Sequence, residues 1–173
     1  MGDLLLVFPK EDMESKALDF KKEFFDNGEK TINGSYKLDM DRYTYSEWLQ
    51  IIKDNLNKDV VNPKFGLSHT FFAVKYDGEI IGIVNLRHTL TDFYKDSGHI
   101  GYSVRPSERK KGYATEILRQ VLDCAKKQGL AEVYLTCKKN NEASRKTIIR
   151  NCGTLNRIFV KNEIEYEEYR ISL

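Results

Sequence analysis

Residues 98–115 read GHIGYSVRPSERKKGYAT and say more about the architecture of this chain than any other segment. Residues 99–105 have the composition of a β-strand, and Pro106 ends it because proline has no amide hydrogen for a sheet ladder. A basic turn follows, and a helix is predicted to begin near Gly112. This order of strand, turn and helix directs backbone N–H groups and the positive helix end at one spot. The segment therefore predicts an anion site of the kind that a pyrophosphate requires.

The side chains of the turn suit such a site. Gly112 has no Cβ to hold the backbone away from an anion, and Ala114 keeps the next helical turn small. The cations of Arg109, Lys110 and Lys111 can screen negative charge. The alternative is an ordinary strand, turn and helix with solvated basic residues, which a lone Arg-x-x-Gly-x-Ala does not exclude. Two nucleotide motifs are absent: a P-loop Gly-Lys-Ser/Thr, and a Gly-x-Gly-x-x-Gly after an early strand.

Composition bounds the class of protein. The 173 residues include 40% hydrophobic and 31% charged residues, so we expect one globular domain, residues 1–173. With 28 Lys and Arg against 26 Asp and Glu, the net charge of +2 gives no long-range field for nucleic acid or acidic membranes. The first ten residues are too short and too polar for a signal peptide or membrane span. We expect a cytoplasmic monomer or homodimer whose three cysteines are reduced thiols.

Periodicity predicts the secondary structure along the chain. An Asp-Gly pair at 77–78 joins two β-branched runs as a hairpin. Antiparallel strands followed by a β-α-β crossover imply a mixed sheet with helices on its faces. The predicted strands are 4–8, 70–74, 80–86, 99–105, 133–137, 154–160 and 163–171, and the predicted helices are 12–27, 45–57, 112–128 and 141–151.

The basic turn resembles a known motif. Arg109, Gly112 and Ala114 occupy the three specified positions of Arg/Gln-x-x-Gly-x-Gly/Ala, the acetyl-CoA-binding motif of the GNAT superfamily of N-acetyltransferases. At the family's spacing, Asn141 and Ser144 match the Asn-x-x-Ser that opens its next helix. Residues 151–153 resemble the end of that helix, with a cysteine in place of one glycine.

The resemblance covers residues 69–160 well, and residues 1–68 only by the order of strand, helix and helix. Within the superfamily, segments 32–35, 85–88 and 98–106 are similar to a branch of bacterial predicted acetyltransferases of unassigned substrate.

This resemblance implies the GNAT fold. It is an α/β fold with a strongly twisted, mostly antiparallel sheet, helices on both faces, and splayed fourth and fifth strands that admit the pantetheine arm of acetyl-CoA. Here those strands are 99–105 and 133–137, and the edge of residues 102–104 should bond the pantetheine amides like an added strand. No metal is implied. The implied cofactor contacts are Tyr102, Ser103, Val104, Arg109, Lys110, Lys111, Gly112, Tyr113, Ala114, Thr115, Asn141 and Ser144.

The acceptor amine needs a path for its proton, since a lysine-like ammonium has a pKa near ~10.4. In resembling enzymes that acetylate ribosomal-protein N-termini, the fourth strand often reads Glu-Ile-Gly-Tyr, with its Glu near the amine. His99 replaces that Glu here, and its reference pKa of ~6.5 suits proton removal. We predict His99 as the catalytic base; alternatively, it pairs only with a neighbouring strand. His88 is a second candidate, for which a structural role is the simpler interpretation.

The general acid is open. Many GNAT enzymes have a tyrosine seven residues after the Asn of Asn-x-x-Ser, where this chain has Ile148. A backbone N–H near Val104 can hold the oxyanion. Cys137 offers a covalent route, but no His or Asp partner is evident, so direct transfer in a ternary complex is favoured. The tyrosines available by residue type are Tyr102, Tyr113, Tyr134, Tyr166 and Tyr169.

We therefore predict acetyl transfer from acetyl-CoA to a primary amine of a small molecule or peptide. Ile148 and the missing Glu leave a second hypothesis, a domain that binds acyl-CoA as a sensor or scaffold without turnover. Lysine, polyamine, aminoglycoside, peptide N-terminus and amino acid all remain open as acceptors. A group of acids favours a cationic acceptor, although such runs are usually solvated: Asp39, Asp41, Glu163, Glu165, Glu167 and Glu168.

Overall fold

The computed structural model describes residues 4–173, so the first three residues of the predicted domain lie outside it. The elements occur in the predicted order. The largest shift in bounds is at the second helix, which stops at Asp54 instead of 57 because turns follow Asn55. The strands are β1 Leu4–Val7, β2 Ser68–Lys75, β3 Ile80–Arg87, β4 Ile100–Val104, β5 Glu132–Lys138, β6 Thr154–Lys161 and β7 Ile164–Ser172, and the helices are α1 Glu14–Asp26, α2 Tyr45–Asp54, α3 Tyr113–Lys127 and α4 Glu142–Arg150.

Local signals explain where the helices begin. Thr44 and Glu47 form a reciprocal capping box at α2, in which each side chain bonds the other residue's backbone N–H. Asn141 caps α4 by accepting from the N–H of Ser144 at 3.1 Å. Gly112 precedes α3 with a φ of 88°, a left-handed conformation that favours glycine.

The strands form two antiparallel sheets, in the orders β1-β2-β3-β4 and β5-β7-β6. The α/β class, the mostly antiparallel pairing and the splay of the fourth and fifth strands are confirmed. The predicted mixed sheet is not continuous, because β4 and β5 form no ladder. An isolated bridge between Gly98 and Leu135 joins the two sheets at one end of these strands. Beyond that bridge the two strands separate.

Helices cover both faces of the first sheet. Ile117, Leu118 and Val121 of α3 fill one core with alternate residues of β2, β3 and β4. Phe20 of α1 and Trp48 of α2 fill the other core with the remaining residues of β2 and β3. Both central strands are therefore apolar on both faces, which explains their continuous hydrophobic runs. No helix in the described part of the chain is long and apolar enough to cross a membrane.

The segment between α1 and α2 crosses over β4 at very close range. A Cβ on Gly34 would lie 2.2 Å from the carbonyl oxygen of Gly101, so only glycine fits there. Ser103 Oγ donates to the carbonyl oxygen of Asn33 at 2.8 Å, and the Asp39 carboxylate accepts from the N–H of Ile32 at 2.8 Å. The crossing segment is therefore held on one face of β4.

We expect Gly34→Ala to destabilise the fold far more than Gly28→Ala. Both glycines have a φ of 81°, but a Cβ at Gly28 would meet nothing within 4 Å. Gly28→Ala should lower the free energy of unfolding by about 1–2 kcal/mol through backbone strain alone. Gly34→Ala adds a collision with the backbone of β4, worth about 1–3 kcal/mol more. Urea unfolding measures both, and equal losses would mean that the crossing segment is not in contact with β4.

Candidate functional site

A cavity of about 940 Å³ opens where β4 and β5 separate. Its walls are these two strands, the N-terminal turns of α3 and α4, and the β6–β7 hairpin. Cavities of this volume hold small molecules and cofactors.

The hydrogen bonds of β4 show which of its backbone groups face this cavity. Arg87 donates its N–H to the carbonyl of His99, and Arg105 donates to Ile81. Antiparallel bonding alternates, so residues 99, 101, 103 and 105 bond β3, while the N–H and C=O of Tyr102 and the N–H of Val104 point to the open side. The predicted edge for an added strand is therefore present at residues 102–104.

The turn before α3 leaves its amides free. Lys110 and Gly112 have φ values of 64° and 88°, which curl the backbone into a concave nest of N–H groups. From Lys110 to Ala114, no amide donates to an acceptor within residues 4–173, whereas the next two amides bond the carbonyl of Gly112. These free amides and the positive end of α3 fit a pyrophosphate, and a side chain at Gly112 would fill the nest.

Two of the three predicted cations are engaged with carboxylates. Arg109 pairs with Glu29 at 2.8 Å and donates from Nε to the carbonyl of Val104 at 3.1 Å. Lys111 pairs with Glu108 at 2.9 Å. Arg109 thus fastens the turn to the end of β4, and Lys110 is the cation of the three with no ion pair among the described residues.

Tyr102 connects β4 to α4 across the cavity. Its hydroxyl lies 3.1 Å from Ser144 Oγ, while Asn141 holds the N–H of Ser144 as the helix cap. Burial raises the pKa of Tyr102, so its hydroxyl keeps its proton at neutral pH. The helix therefore positions a protonated phenol beside the backbone edge of β4.

Other predicted residues have mainly structural surroundings. Ser103 lines the cavity, but its hydroxyl bonds Asn33 on the crossing segment. Ile148 is buried in the core, where a Cβ on Gly153 would lie 2.3 Å from its Cγ2. Cys137 lines the cavity, and burial raises the pKa of its thiol, which disfavours the thiolate.

His99 lies at the joint between the sheets and does not line the cavity. The backbone N–H of His99 donates to the carbonyl oxygen of Tyr134 at 2.6 Å, and its ring Nδ1 accepts from the backbone N–H of Tyr134 at 3.0 Å. Since Nδ1 must be unprotonated to accept, neutral His99 carries its proton on Nε2 and has no free lone pair for an amine proton. Burial, and then Arg87, lower its pKa. This geometry argues against the predicted base and favours the alternative, a histidine that pairs with the neighbouring strand.

His88 lies outside the cavity as well. Its Nε2 contacts Nδ1 of His69 at 2.5 Å, and the two rings stack with centroids 4.7 Å apart. Burial and the neighbouring imidazole lower the pKa of His69 to about 4. A structural histidine pair is the simplest description. Among the described residues, no three His, Cys, Asp or Glu gather as a metal site.

Sequence reasoning missed the residues that line the cavity away from the amide nest before α3. They come from the segment after α1, from β3, from the β3–β4 loop and from the β6–β7 hairpin, and no local motif marks them. Arg87 stood within the quoted segment 85–88, but its surroundings depend on which strands pair. The residues concerned are Glu29, Arg87, Asp96, Phe159 and Lys161.

Comparison with known proteins gives this site a context. The model of the Acetyltransferase (GNAT) family matches residues 35–153. No curated protein matches the chain significantly.

Solved structures share its fold. RimJ of Mycobacterium smegmatis, in complex with a CoA-disulfide, aligns with a TM-score of 0.73 and 17% identity, over 98% of this chain and 81% of that one. The microcin C7 self-immunity acetyltransferase MccE, in complex with acetyl-CoA and AMP, aligns with a TM-score of 0.72 and 18% identity, over 100% of this chain and 94% of that one. The spermidine/spermine N-acetyltransferase SpeG of Vibrio cholerae aligns with a TM-score of 0.64 and 14% identity, over 99% of this chain and 95% of that one.

We expect acetyl-CoA to stabilise the wild-type chain and Gly112→Asp to abolish that effect. The substitution places a side chain and a negative charge in the nest. A ligand at a hundred times its Kd adds about 2.7 kcal/mol, which is about 5–10 °C in Tm for a domain of this size. Gly129→Asp is the control, because Gly129 also has a positive φ, of 84°, and open space around it. A Gly112→Asp variant that folds and still responds would place the cofactor elsewhere.

The role of His99 can be tested with two substitutions. Asn can present an acceptor near the position of Nδ1 without titrating, whereas Ala cannot. A pairing role predicts near-normal turnover for His99→Asn and a loss of about 1–2 kcal/mol of stability for His99→Ala. A catalytic base predicts a loss of about 100-fold or more in kcat for both variants, which would restore the sequence-based assignment.

The pH dependence of stability gives an independent check. Because the folded pKa of His99 is lowered, the unfolded chain binds a proton below pH ~6.5 that the folded chain resists. The contribution of neutral His99 to the free energy of unfolding is fully present above pH ~6.5. It is lost as the pH falls below that value through the lowered pKa of the folded state. The free energy of unfolding should therefore decline between about pH 7 and pH 5, less steeply in His99→Asn than in wild type.

Proposed function

Because this chain belongs to the Acetyltransferase (GNAT) family and is an acetyl-CoA-dependent acetyltransferase, we propose that it acetylates a primary amine by direct transfer in a ternary complex. The observation that carries this proposal is the position of Tyr102. Its free backbone N–H and its hydroxyl both face the cavity between β4 and β5. One residue thus offers two donors to the same reaction centre.

Acetyl-CoA supplies the thioester when bound. The nest of amides at 110–114 would hold its pyrophosphate, and the backbone edge at 102–104 would bond its pantetheine arm. The N–H of Tyr102 points to the side where the thioester oxygen would then lie, so it can stabilise the charge that develops on that oxygen.

The hydroxyl of Tyr102 is the proposed general acid. A departing thiolate needs a proton, and burial keeps this phenol protonated at neutral pH. Ser144 Oγ holds the hydroxyl in place at 3.1 Å. In this proposal Tyr102 is the general acid, which Ile148 cannot be because its side chain has no proton to donate.

The proton of the amine leaves by water in this proposal. Three carboxylates line the cavity, and each is engaged with cations: Glu29 with Arg109, Asp96 with Arg157 and Lys161, and Glu108 with Lys111. His99 is bonded to Tyr134. The cavity is open to solvent, so a water chain can receive the proton.

Direct transfer is preferred to a covalent route. An acetylated cysteine would require a thiolate at Cys137, and burial raises the pKa of that thiol. The sensor hypothesis rested on Ile148 and on the missing Glu of the fourth strand. In this proposal Tyr102 supplies the acid, and water takes the proton that the Glu would have accepted. Release of free thiol from acetyl-CoA in the presence of an amine panel separates the enzyme from a sensor.

We expect Tyr102→Phe to lower kcat by about 100-fold and to leave the Kd of acetyl-CoA nearly unchanged, because only the hydroxyl is lost. Free-thiol detection at saturating acetyl-CoA measures kcat, and titration with acetyl-CoA in the absence of an acceptor measures the Kd. Tyr134→Phe is the matched control, since its hydroxyl bonds Glu132 on β5 at 2.7 Å and does not face the cavity. Equal turnover in the two variants would remove Tyr102 from the proton path.

A further inference from the structure

Four buried polar atoms without a hydrogen-bond partner lie together beneath the segment that crosses β4. They are Asn55 Nδ2, Ser68 Oγ, Asn85 Oδ1 and Arg87 Nε. Ser68 is the register partner of Arg87, and its N–H bonds the carbonyl of Asn55 at 3.0 Å. Asn85 lies two residues before Arg87 on the same face of β3. Buried polar atoms are normally satisfied, so this polar cluster points to a polar ligand or water.

The guanidinium of Arg87 is the charged member of this cluster. It lies 4.1 Å from the ring centre of Tyr94, and its Nη1 donates to the carbonyl of Gly98 at 2.7 Å. Its Nε has no hydrogen-bond partner in the described part of the chain, and no carboxylate there pairs with the guanidinium. An unpaired guanidinium held away from water is costly unless an anion joins it.

The unpartnered Nε indicates the shape of that anion. Nε shares one edge of the planar guanidinium with Nη2, and such an edge binds a carboxylate through two parallel hydrogen bonds. The guanidinium is partly sealed from bulk water, which strengthens an ion pair formed there. The acid that the β3–β4 loop places on the cavity wall is unavailable, because Asp96 is shared by Arg157 and Lys161.

Arg87 also lies close to the reaction centre. It lines the cavity, and its Nη2 would be 3.8 Å from a Cβ on Gly101, the residue before Tyr102. Its register neighbour on β4 is His99, three residues and about 10 Å of strand before Tyr102. The side chain of Arg87 reaches along β4 from there as far as Gly101. A group bound by Arg87 is therefore only a few bonds away from an amine that approaches the N–H of Tyr102.

We propose that the acceptor is an amino acid, a small molecule with an amine and a carboxylate a few bonds apart, and that Arg87 binds its carboxylate. This inference rests on the proposed function, for which it names the acceptor class. A polycationic acceptor is disfavoured because the acids that suggested it lie outside the cavity. Glu168 bonds Arg157, Glu165 pairs with Lys139, and Asp41 pairs with Lys21.

The first test uses the wild-type enzyme and matched acceptors. Each of the common amino acids is compared with its own carboxamide, and spermidine and a short peptide are included. We expect kcat/KM to be about 10- to 100-fold higher for the best amino acid than for its carboxamide, because the charged bidentate bond is lost. Equal use of the two, or a preference for spermidine or the peptide, would overturn the inference.

The second test uses variants of Arg87. Arg87→Gln and Arg87→Lys should raise KM for the amino acid about 10- to 100-fold, with little change for the carboxamide and an unchanged Kd for acetyl-CoA. Arg119→Gln is the control, because it removes an arginine on α3 that pairs with Glu116 and Asp123 outside the cavity. An equal loss with both acceptors would show that Arg87 is merely structural.

Binding is measured beside turnover, so that the two proposals can fail separately. Calorimetric titration of the CoA-loaded protein with the amino acids and their carboxamides reports the carboxylate preference even without catalysis. Absence of thiol release with every acceptor would contradict the proposed function. Absence of a carboxylate preference in both assays would contradict the acceptor class alone.

Discussion

The separation of β4 from β5 is the constraint on which the other features depend. The two strands meet at one end, where His99 exchanges two hydrogen bonds with Tyr134 and Gly98 bridges to Leu135. Beyond this joint the N–H and C=O of Tyr102 and the N–H of Val104 point away from β3 and have no second strand to bond. Backbone donors and acceptors that have no partner beside a cavity can hydrogen-bond a molecule bound there. The binding edge is thus a consequence of where the sheet stops.

Several charges along the cavity wall are paired with opposite charges. Glu29 pairs with Arg109, and Asp96 and Glu168 together pair with Arg157 and Lys161. Cations without an ion pair among the described residues also line the wall, namely Arg87, Lys110, Lys138 and Arg150. Arg87 lies beside the start of β4, and the amide nest follows the end of that strand. This arrangement suits the proposed transfer of an acetyl group from an anionic cofactor to an acceptor that carries a carboxylate.

The cofactor side of the site follows from local sequence, because a nest needs only a left-handed glycine, a helix start and small side chains in consecutive positions. Gly112 and the residues around it therefore carried that prediction, and the GNAT family match to residues 35–153 agrees with it. The acceptor side has no such signature. Arg87, Asp96 and Lys161 come from three segments, and their shared wall exists only after the sheets assemble.

The sequence by itself determined the order and approximate bounds of the elements and the turn at 110–114, since each depends on residues within one or two turns of the chain. The tertiary structure decided which atoms His99 and Tyr102 contact. Elements distant in sequence set the partners of both residues: His99 contacts the backbone of β5, and Tyr102 contacts Ser144 of α4. A residue type names the chemistry that a side chain is capable of, but long-range packing decides which atoms it meets.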